Sequence, residues 1–311
     1  MIDLSVNLCG KKLQNPLILA SGILGTDADI LKRVADFGIG AVTSKSCGLL
    51  PRKGHENPTV VAWEHGLING VGLTNPGVEK EVEELLRLKK LLKNSACKII
   101  ASFFAGTVDE FPRVAQKLAK AKPDFFEVNI SCPNTMDDCG TPFACKTDNT
   151  YKITKIVKQV SQEFNIPLII KLSPNVTNIV NIAKASQEAG ADAITAINTV
   201  LGMIIDLESA RPIMTNKIAG LSGPAIKPIS IRCVYQLAQQ LKIPIIGLGG
   251  ITSGSDAIEM IMAGATAVGI GSATYYRGIE AFNLITQEMQ VWLEKHDIKS
   301  LAEIRGKAHA N

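Results

Sequence analysis

Apolar and polar positions along the chain follow two alternating rhythms. Strand-length apolar runs, several of them rich in β-branched residues, sit at 16–20, 40–45, 98–104, 124–131, 167–172, 191–197, 244–248 and 266–270. Between them lie stretches with the three-to-four-residue apolar spacing of amphipathic helices, at about 27–37, 77–93, 108–121, 150–164, 176–189, 225–241 and 254–263. The 77–93 stretch shows the period best. Val78, Val82, Leu85, Leu86 and Leu92 form its apolar face, and acids gather in its first half, where a helix dipole favours them. Three helical stretches end on glycine-bearing turns into the next strand, at Phe37-Gly38, Ala189-Gly190 and Ala263-Gly264. Ahead of the alternation, Leu4–Leu8 and Lys12–Gln14 read as a short β-hairpin turning at Cys9-Gly10-Lys11, of a size to plug the bottom of a barrel.

Eight strands alternating with helices, with no charge-rich linker, predict a single (β/α)8 TIM barrel domain over residues 1–311, an α/β fold. An open doubly wound sheet is the main rival. Three connections are longer than the fold needs, 46–76, 133–148 and 197–224. All three leave the carboxyl ends of strands, the face on which barrels build their sites.

Composition narrows the function classes. The net charge of +4 is spread along the chain, with no basic tract, so nucleic acid is not indicated. No apolar run is long enough to span a bilayer, and the first residues lack the order of a signal peptide, so a cytoplasmic protein is expected. Seven cysteines form no CxxC pair, and only four histidines occur, which argues against a disulfide framework and against a metal site.

The chemistry-bearing residues collect at strand ends. The strand 124–131 runs into Asn129-Ile130-Ser131-Cys132-Pro133-Asn134, which crowds two carboxamides and a thiol at its end. Gly247-Leu248-Gly249-Gly250 and Val268-Gly269-Ile270-Gly271-Ser272 close the last two strands, where barrels cradle phosphate with backbone N–H groups. Gly223 can add another. Lys45 and Lys171 end apolar strands, and a lysine there is costly to desolvate unless an anion meets it. With this phosphate signal they point to a bound anionic cofactor. Asn69, Asn75, Asn129, Asn134 and Asn198 give five amides near one face, suited to a planar ligand with alternating donors and acceptors, such as a pyrimidine.

Together these blocks resemble the class 1 dihydroorotate dehydrogenases: Thr43-Ser44-Lys45-Ser46, Asn69-Gly70-Val71-Gly72-Leu73, Asn129 to Asn134, Lys171-Leu172-Ser173-Pro174-Asn175-Val176-Thr177, Ile197-Asn198-Thr199, and Gly220 to Pro228. The likeness is greatest to the class 1B catalytic subunit and covers about residues 1–275. It implies FMN-dependent oxidation of (S)-dihydroorotate to orotate in pyrimidine synthesis. On that resemblance Cys132 is the base that removes the C5 proton while hydride passes from C6 to flavin N5. A thiol titrating near 8.5 then makes activity rise with pH. Lys171 faces the flavin N1/O2 edge. Ser21, Lys45, Ser46, Ser102, Asn129, Ile197, Gly223, Gly249, Gly250, Gly271 and Ser272 complete the cofactor contacts. Lys45, Asn69, Gly70, Val71, Gly72, Leu73, Asn129, Asn134, Asn198 and Thr199 hold the substrate.

The chain departs from the pattern in two places. Ser102 stands where family members commonly carry Asn, and the loop 135–148, with Cys139 and Cys145, is longer than in class 1B. Both features are similar to the pyrimidine-reducing domain of dihydropyrimidine dehydrogenases, which makes reduction of uracil or thymine the alternative activity. Asn134, where that family has histidine, favours dihydroorotate. The class 1B likeness further implies a homodimer core joined by a partner subunit that carries FAD and a 2Fe–2S cluster and passes electrons to NAD. A class 1A enzyme would be a homodimer reducing fumarate.

Overall fold

The computed structural model describes residues 2–131 and 146–310. The chain starts with a hairpin, β1 (Val6–Leu8) against β2 (Lys11–Leu13), whose register Val6 to Leu13 is closed by Cys9 and Gly10, both at positive φ. The alternation follows: β3 (Leu17–Leu19), α1 (Ala28–Ala35), β4 (Ala41–Thr43), then β5 (Val60–Trp63), β6 (Gly66–Asn69), α2 (Val78–Leu91), β7 (Lys98–Phe103), α3 (Glu110–Ala119) and β8 (Phe125–Asn129). Next come α4 (Thr147–Glu163), β9 (Leu168–Leu172), α5 (Ile179–Glu188), β10 (Ala193–Ala196), and the short strands β11 (Val200–Gly202), β12 (Ile205–Asp206), β13 (Arg211–Pro212) and β14 (Ala219–Ser222). Then follow α6 (Lys227–Ala238), β15 (Ile245–Leu248), α7 (Gly254–Met262), β16 (Ala267–Ile270), α8 (Ala273–Arg277) and α9 (Ala281–Lys295), with short 3-10 turns at Leu301–Glu303 and Lys307–His309. No helix among the described residues is long and apolar enough to cross a membrane.

Strands β3, β4, β7, β8, β9, β10, β15 and β16 pair in parallel in chain order and close on each other, β16 with β3, giving the expected (β/α)8 barrel. Local sequence sets the helix starts. The Asp27 carboxylate accepts from the Ile30 N–H at 2.9 Å, and Ser253 and Asp256 cap each other's backbone at the head of α7. All three anticipated glycine turns have positive φ, at Gly38, Gly190 and Gly264.

Side chains alternate in and out along each strand, and one inward residue from every strand makes a tier that the barrel's stagger splits into two sets of four from alternate strands. The lowest layer is apolar: Ile18, Ala41, Ile100, Phe125, Ile169, Ala193, Ile246 and Ala267 pack together, with Leu8 and Leu13 of the hairpin sealing it from below. Two residues further along each strand come Ala20, Thr43, Ser102, Glu127, Lys171, Thr195, Leu248 and Gly269. The barrel thus changes from hydrocarbon to polar within one layer, and the site stands on that polar floor.

Three features differ from the sequence expectation. The connections 46–76 and 197–224 are not plain loops, since β11, β14, β6 and β5 form a four-stranded antiparallel sheet above the barrel and β12 pairs with β13. After the eighth strand, where the apolar spacing marked no helix, the chain forms α8 and α9. α9 packs so closely on α7 that a Cβ on Gly254 would stand 2.4 Å from the Glu288 Cβ. On α2 the buried stripe is Val78, Glu81, Val82, Leu85 and Leu88, while Leu86 is exposed. The helix is rotated so that an acid, not Leu86, faces the core.

Candidate active site

The carboxyl ends of the barrel strands open into a cavity with about 1210 Å³ of empty space, part of it open to solvent. The elements deliver its wall in turn. Ser21 follows β3, Lys45 and Ser46 follow β4, Asn129 ends β8, and Lys171 lies in β9. Ile197, Asn198 and Thr199 follow β10, Gly249 and Gly250 follow β15, and Gly271 and Ser272 follow β16. The sheet above the barrel adds Asn69, Val71, Gly72 and Leu73 from the β6 side and Gly223 from beyond β14. Residues more than 200 positions apart therefore meet around one space. Two expected site residues do not reach the wall. Ser102 is fully buried beneath it, and Gly70 packs against the Asn216 amide, its carbonyl 2.9 Å from His55 Nδ1. Cys132, Asn134, Cys139 and Cys145 lie outside the described residues.

A line of hydroxyls runs from the wall into the floor. Ser21 donates to the Ser44 carbonyl at 2.8 Å, and its Oγ lies 3.0 Å from that of Ser46. Ser46 Oγ lies 2.8 Å from Ser102 Oγ and accepts from Asn129 Nδ2 at 3.2 Å. Ser102 in turn donates to Glu127 Oε1 at 3.2 Å, while Thr195 Oγ1 donates to Glu127 Oε2 at 3.0 Å. The Lys171 Nζ stands 3.8 Å from Glu127 Oε1, with both residues about 5% exposed. A buried ion pair of this kind persists only when its remaining hydrogen-bonding capacity is met, and the two hydroxyls meet it on the carboxylate side. Glu127 was not singled out from sequence. An acid inside the apolar run Phe125–Val128 is the signal that marks it.

The strand end that precedes Cys132 is tied down on two sides. Ser131 is fully buried, donates its hydroxyl to Asn129 Oδ1 at 3.2 Å, and accepts from Asn198 Nδ2 at 3.0 Å. Asn198 uses its other amide end to accept from the Thr199 N–H at 2.8 Å. Asn175, quoted in a motif but given no role, bridges two loops. Its Nδ2 donates to the Thr199 carbonyl, and its Oδ1 accepts from the Leu201 N–H, both at 2.9 Å. Asn69 donates to the Gly220 carbonyl at 3.2 Å, joining β6 to β14 beside the cavity.

Packing explains the glycine pair after β15. Gly249 and Gly250 have φ of 135° and 75°, and a Cβ on Gly250 would lie 2.6–2.7 Å from Lys227. The start of α6 therefore demands glycine there whatever the cavity holds, and the bare backbone is left bordering the cavity. Across the cavity, a Cβ on Gly22 would stand 3.3 Å from Lys45 Nζ, so the missing side chain gives that half-buried ammonium its room. Lys227 itself is drawn into ion pairs with Asp256 and Glu259, both at 2.8 Å. Burial works to raise the Asp256 carboxyl, but Lys227 and the N–H groups of the capping turn outweigh it and hold the group below its usual range. Behind β4, burial pushes Glu81 up to about 7 against a hydrogen bond from Ser44, with Glu84 adding to the rise.

The cavity thus combines a bare-glycine rim, two lysines and several amides, groups able to meet an anion and a polar ligand. The family model described as dihydroorotate dehydrogenase matches residues 3–293. Among curated relatives, the chain is 45% identical over 306 residues to a protein of Methanocaldococcus jannaschii named dihydroorotate dehydrogenase B (NAD(+)), catalytic subunit, covering 98% of each chain. Proteins of the same name from Pyrococcus abyssi and Methanosarcina mazei are 45% and 44% identical, with 98% of this chain and 99% and 95% of theirs covered. The motifs, the barrel and these full-length likenesses agree: the chain belongs to the dihydroorotate dehydrogenase family, and it is an oxidoreductase.

Proposed function

We propose that the chain is the catalytic subunit of an NAD-linked dihydroorotate dehydrogenase, oxidising (S)-dihydroorotate to orotate with bound FMN. The observation that carries the reading is the cavity itself. Its glycine rim, its half-buried Lys45 and its Lys171–Glu127 floor fit a phosphate-bearing flavin, and its amides fit a pyrimidine. FMN, when bound, supplies the hydride acceptor. The bare backbone at Gly249, Gly250, Gly271 and Ser272 would hold its phosphate, and Ser21, Ser46, Asn129 and Lys171 would hold the ring. Asn69, Asn198, Thr199 and the backbone of Val71 to Leu73 would hold the substrate's carboxylate and imide edges, with Asn134 completing the set. Cys132 takes the proton from substrate C5, and the Asn129–Ser131–Asn198 anchor fixes the strand end that precedes it in the chain.

The relatives' names speak of a catalytic subunit, and we infer a second subunit that carries electrons to NAD from the reduced flavin. The test is direct. The purified full-length chain should be yellow with FMN, and anaerobic dihydroorotate should bleach it. Cys132→Ser should slow that bleaching at least a hundredfold while leaving orotate affinity within a few-fold. A colourless protein that takes up no FMN defeats the reading. A flavin untouched by dihydroorotate but re-oxidised by uracil after chemical reduction would assign the pyrimidine-reducing activity instead.

A further inference from the structure

The polar floor of the barrel contains one charged residue without an assigned part, Glu127. Of its eight inward positions, Glu127 and Lys171 alone carry charge, and they lie against each other at 3.8 Å. The carboxylate is held from both sides. Ser102 on the neighbouring strand β7 donates to one oxygen, and Thr195, on β10 beyond β9, donates to the other. Lys171 touches the cavity and Glu127 does not. Whatever Glu127 does to a ligand it does through the ammonium above it and through the Ser102–Ser46 hydroxyls that lead to the wall.

This arrangement is not what an apolar barrel needs. An apolar pair of the same volume would fill the layer without desolvating two charges, and such replacements are often neutral or stabilising. The pair therefore answers to the cavity above it. We propose that Glu127 is a positioning residue of the redox site: fixed by Ser102 and Thr195, its carboxylate anchors the Lys171 ammonium and offsets its charge beneath the flavin. The proposal rests on the flavin reading and adds to it. The reducing power of the site is set by the pair, not by the lysine alone. Ser102 belongs to the same device, because its short hydroxyl reaches Glu127 Oε1 and Ser46 Oγ at once.

The experiment uses the full chain loaded with FMN and reads sulfite affinity and midpoint potential, both of which respond to charge near the flavin and neither of which needs turnover. Glu127→Gln removes the offset at constant shape. Sulfite should bind at least tenfold tighter, because at an effective dielectric of about 20 one unit charge within roughly 12 Å is worth that factor or more. The same factor in a two-electron equilibrium raises the potential by about 30 mV. Lys171→Met leaves the carboxylate uncompensated and should move both readings the opposite way. The double variant E127Q/K171M carries neither charge and should return to within about threefold of wild type. Sulfite affinity in E127Q within twofold of wild type, or weaker, overturns the proposal. So does a double variant as weak as Lys171→Met alone, a comparison that stands even if E127Q does not fold. A chain that binds no FMN fails the functional reading instead. The anchoring claim is then read from melting: E127Q must melt below wild type and the double variant must recover most of the loss, and equal melting of all three overturns it.

Discussion

Glu81 offers a test in which structure fixes both sign and size. It lies on the buried stripe of α2, 3% exposed, where a nonpolar residue would be expected from the helical period. Burial raises its carboxyl from 4.5 to about 7, Glu84 adds to the rise, and the hydrogen bond with Ser44 reduces it. The folded protein thus holds this proton more tightly than the unfolded chain. Below pH 4.5 both states are protonated and the group costs nothing. Through the window from 4.5 to 7 the unfolded chain gives up its proton first, so stability falls as pH rises. Above pH 7 the full penalty of about 3 kcal/mol applies, at ~1.36 kcal/mol per pH unit. Glu81→Gln is neutral at every pH and nearly the same shape. Its gain in stability over wild type should grow from about 1 kcal/mol at pH 5 to about 3 kcal/mol at pH 8. Paired urea titrations of the two proteins across that range measure the difference, in which other titrating groups cancel. A gain that stays constant with pH, or a variant less stable than wild type at pH 8, would refute the argument.

Three further substitutions probe the site and its frame. Gly250→Ala forces a side chain into positive φ and to within 2.6–2.7 Å of Lys227; it should cost about 1–3 kcal/mol and weaken FMN binding at least tenfold by fluorescence titration. Gly254→Ala gains helix propensity of up to about 1 kcal/mol but drives a Cβ to 2.4 Å from Glu288 Cβ and 2.7 Å from the Met289 nitrogen; overpacking wins, and the melting temperature falls. Asn175→Ala cuts both bonds that tie the β9 loop to residues 199 and 201, so KM for dihydroorotate should rise about tenfold with a smaller change in kcat, read by steady-state kinetics.

Much of the barrel was legible along the chain. Apolar strand runs and helical periods are local properties, and eight of the former separated by the latter leave few ways to close a sheet. The strand-end residues were legible for the same reason, because a carboxyl-end lysine, amide or glycine needs only its own strand to be placed. Ser21, Lys45, Asn129, Lys171 and Gly250 meet at one cavity as a consequence of closure.

Other features depended on partners far away in sequence. The sheet above the barrel joins β6 to β14, pairing Asn69 with Gly220, and no local pattern shows that registry. Leu86 and Glu81 both fit the helical period of α2, and only the packed neighbour shows which one is buried. Ser102 reads as a ligand contact until the strands curve and place it one layer down, under Ser46 and beside Glu127. The sequence by itself determined which elements form and which strand ends carry chemistry, since backbone propensity and side-chain period act over a few residues. The tertiary structure alone decided that an acid and a lysine from adjacent strands meet in the polar floor of the cavity, the lysine touching the cavity and the acid beneath it. Inward orientation and stagger are properties of the closed barrel, and no single strand has them.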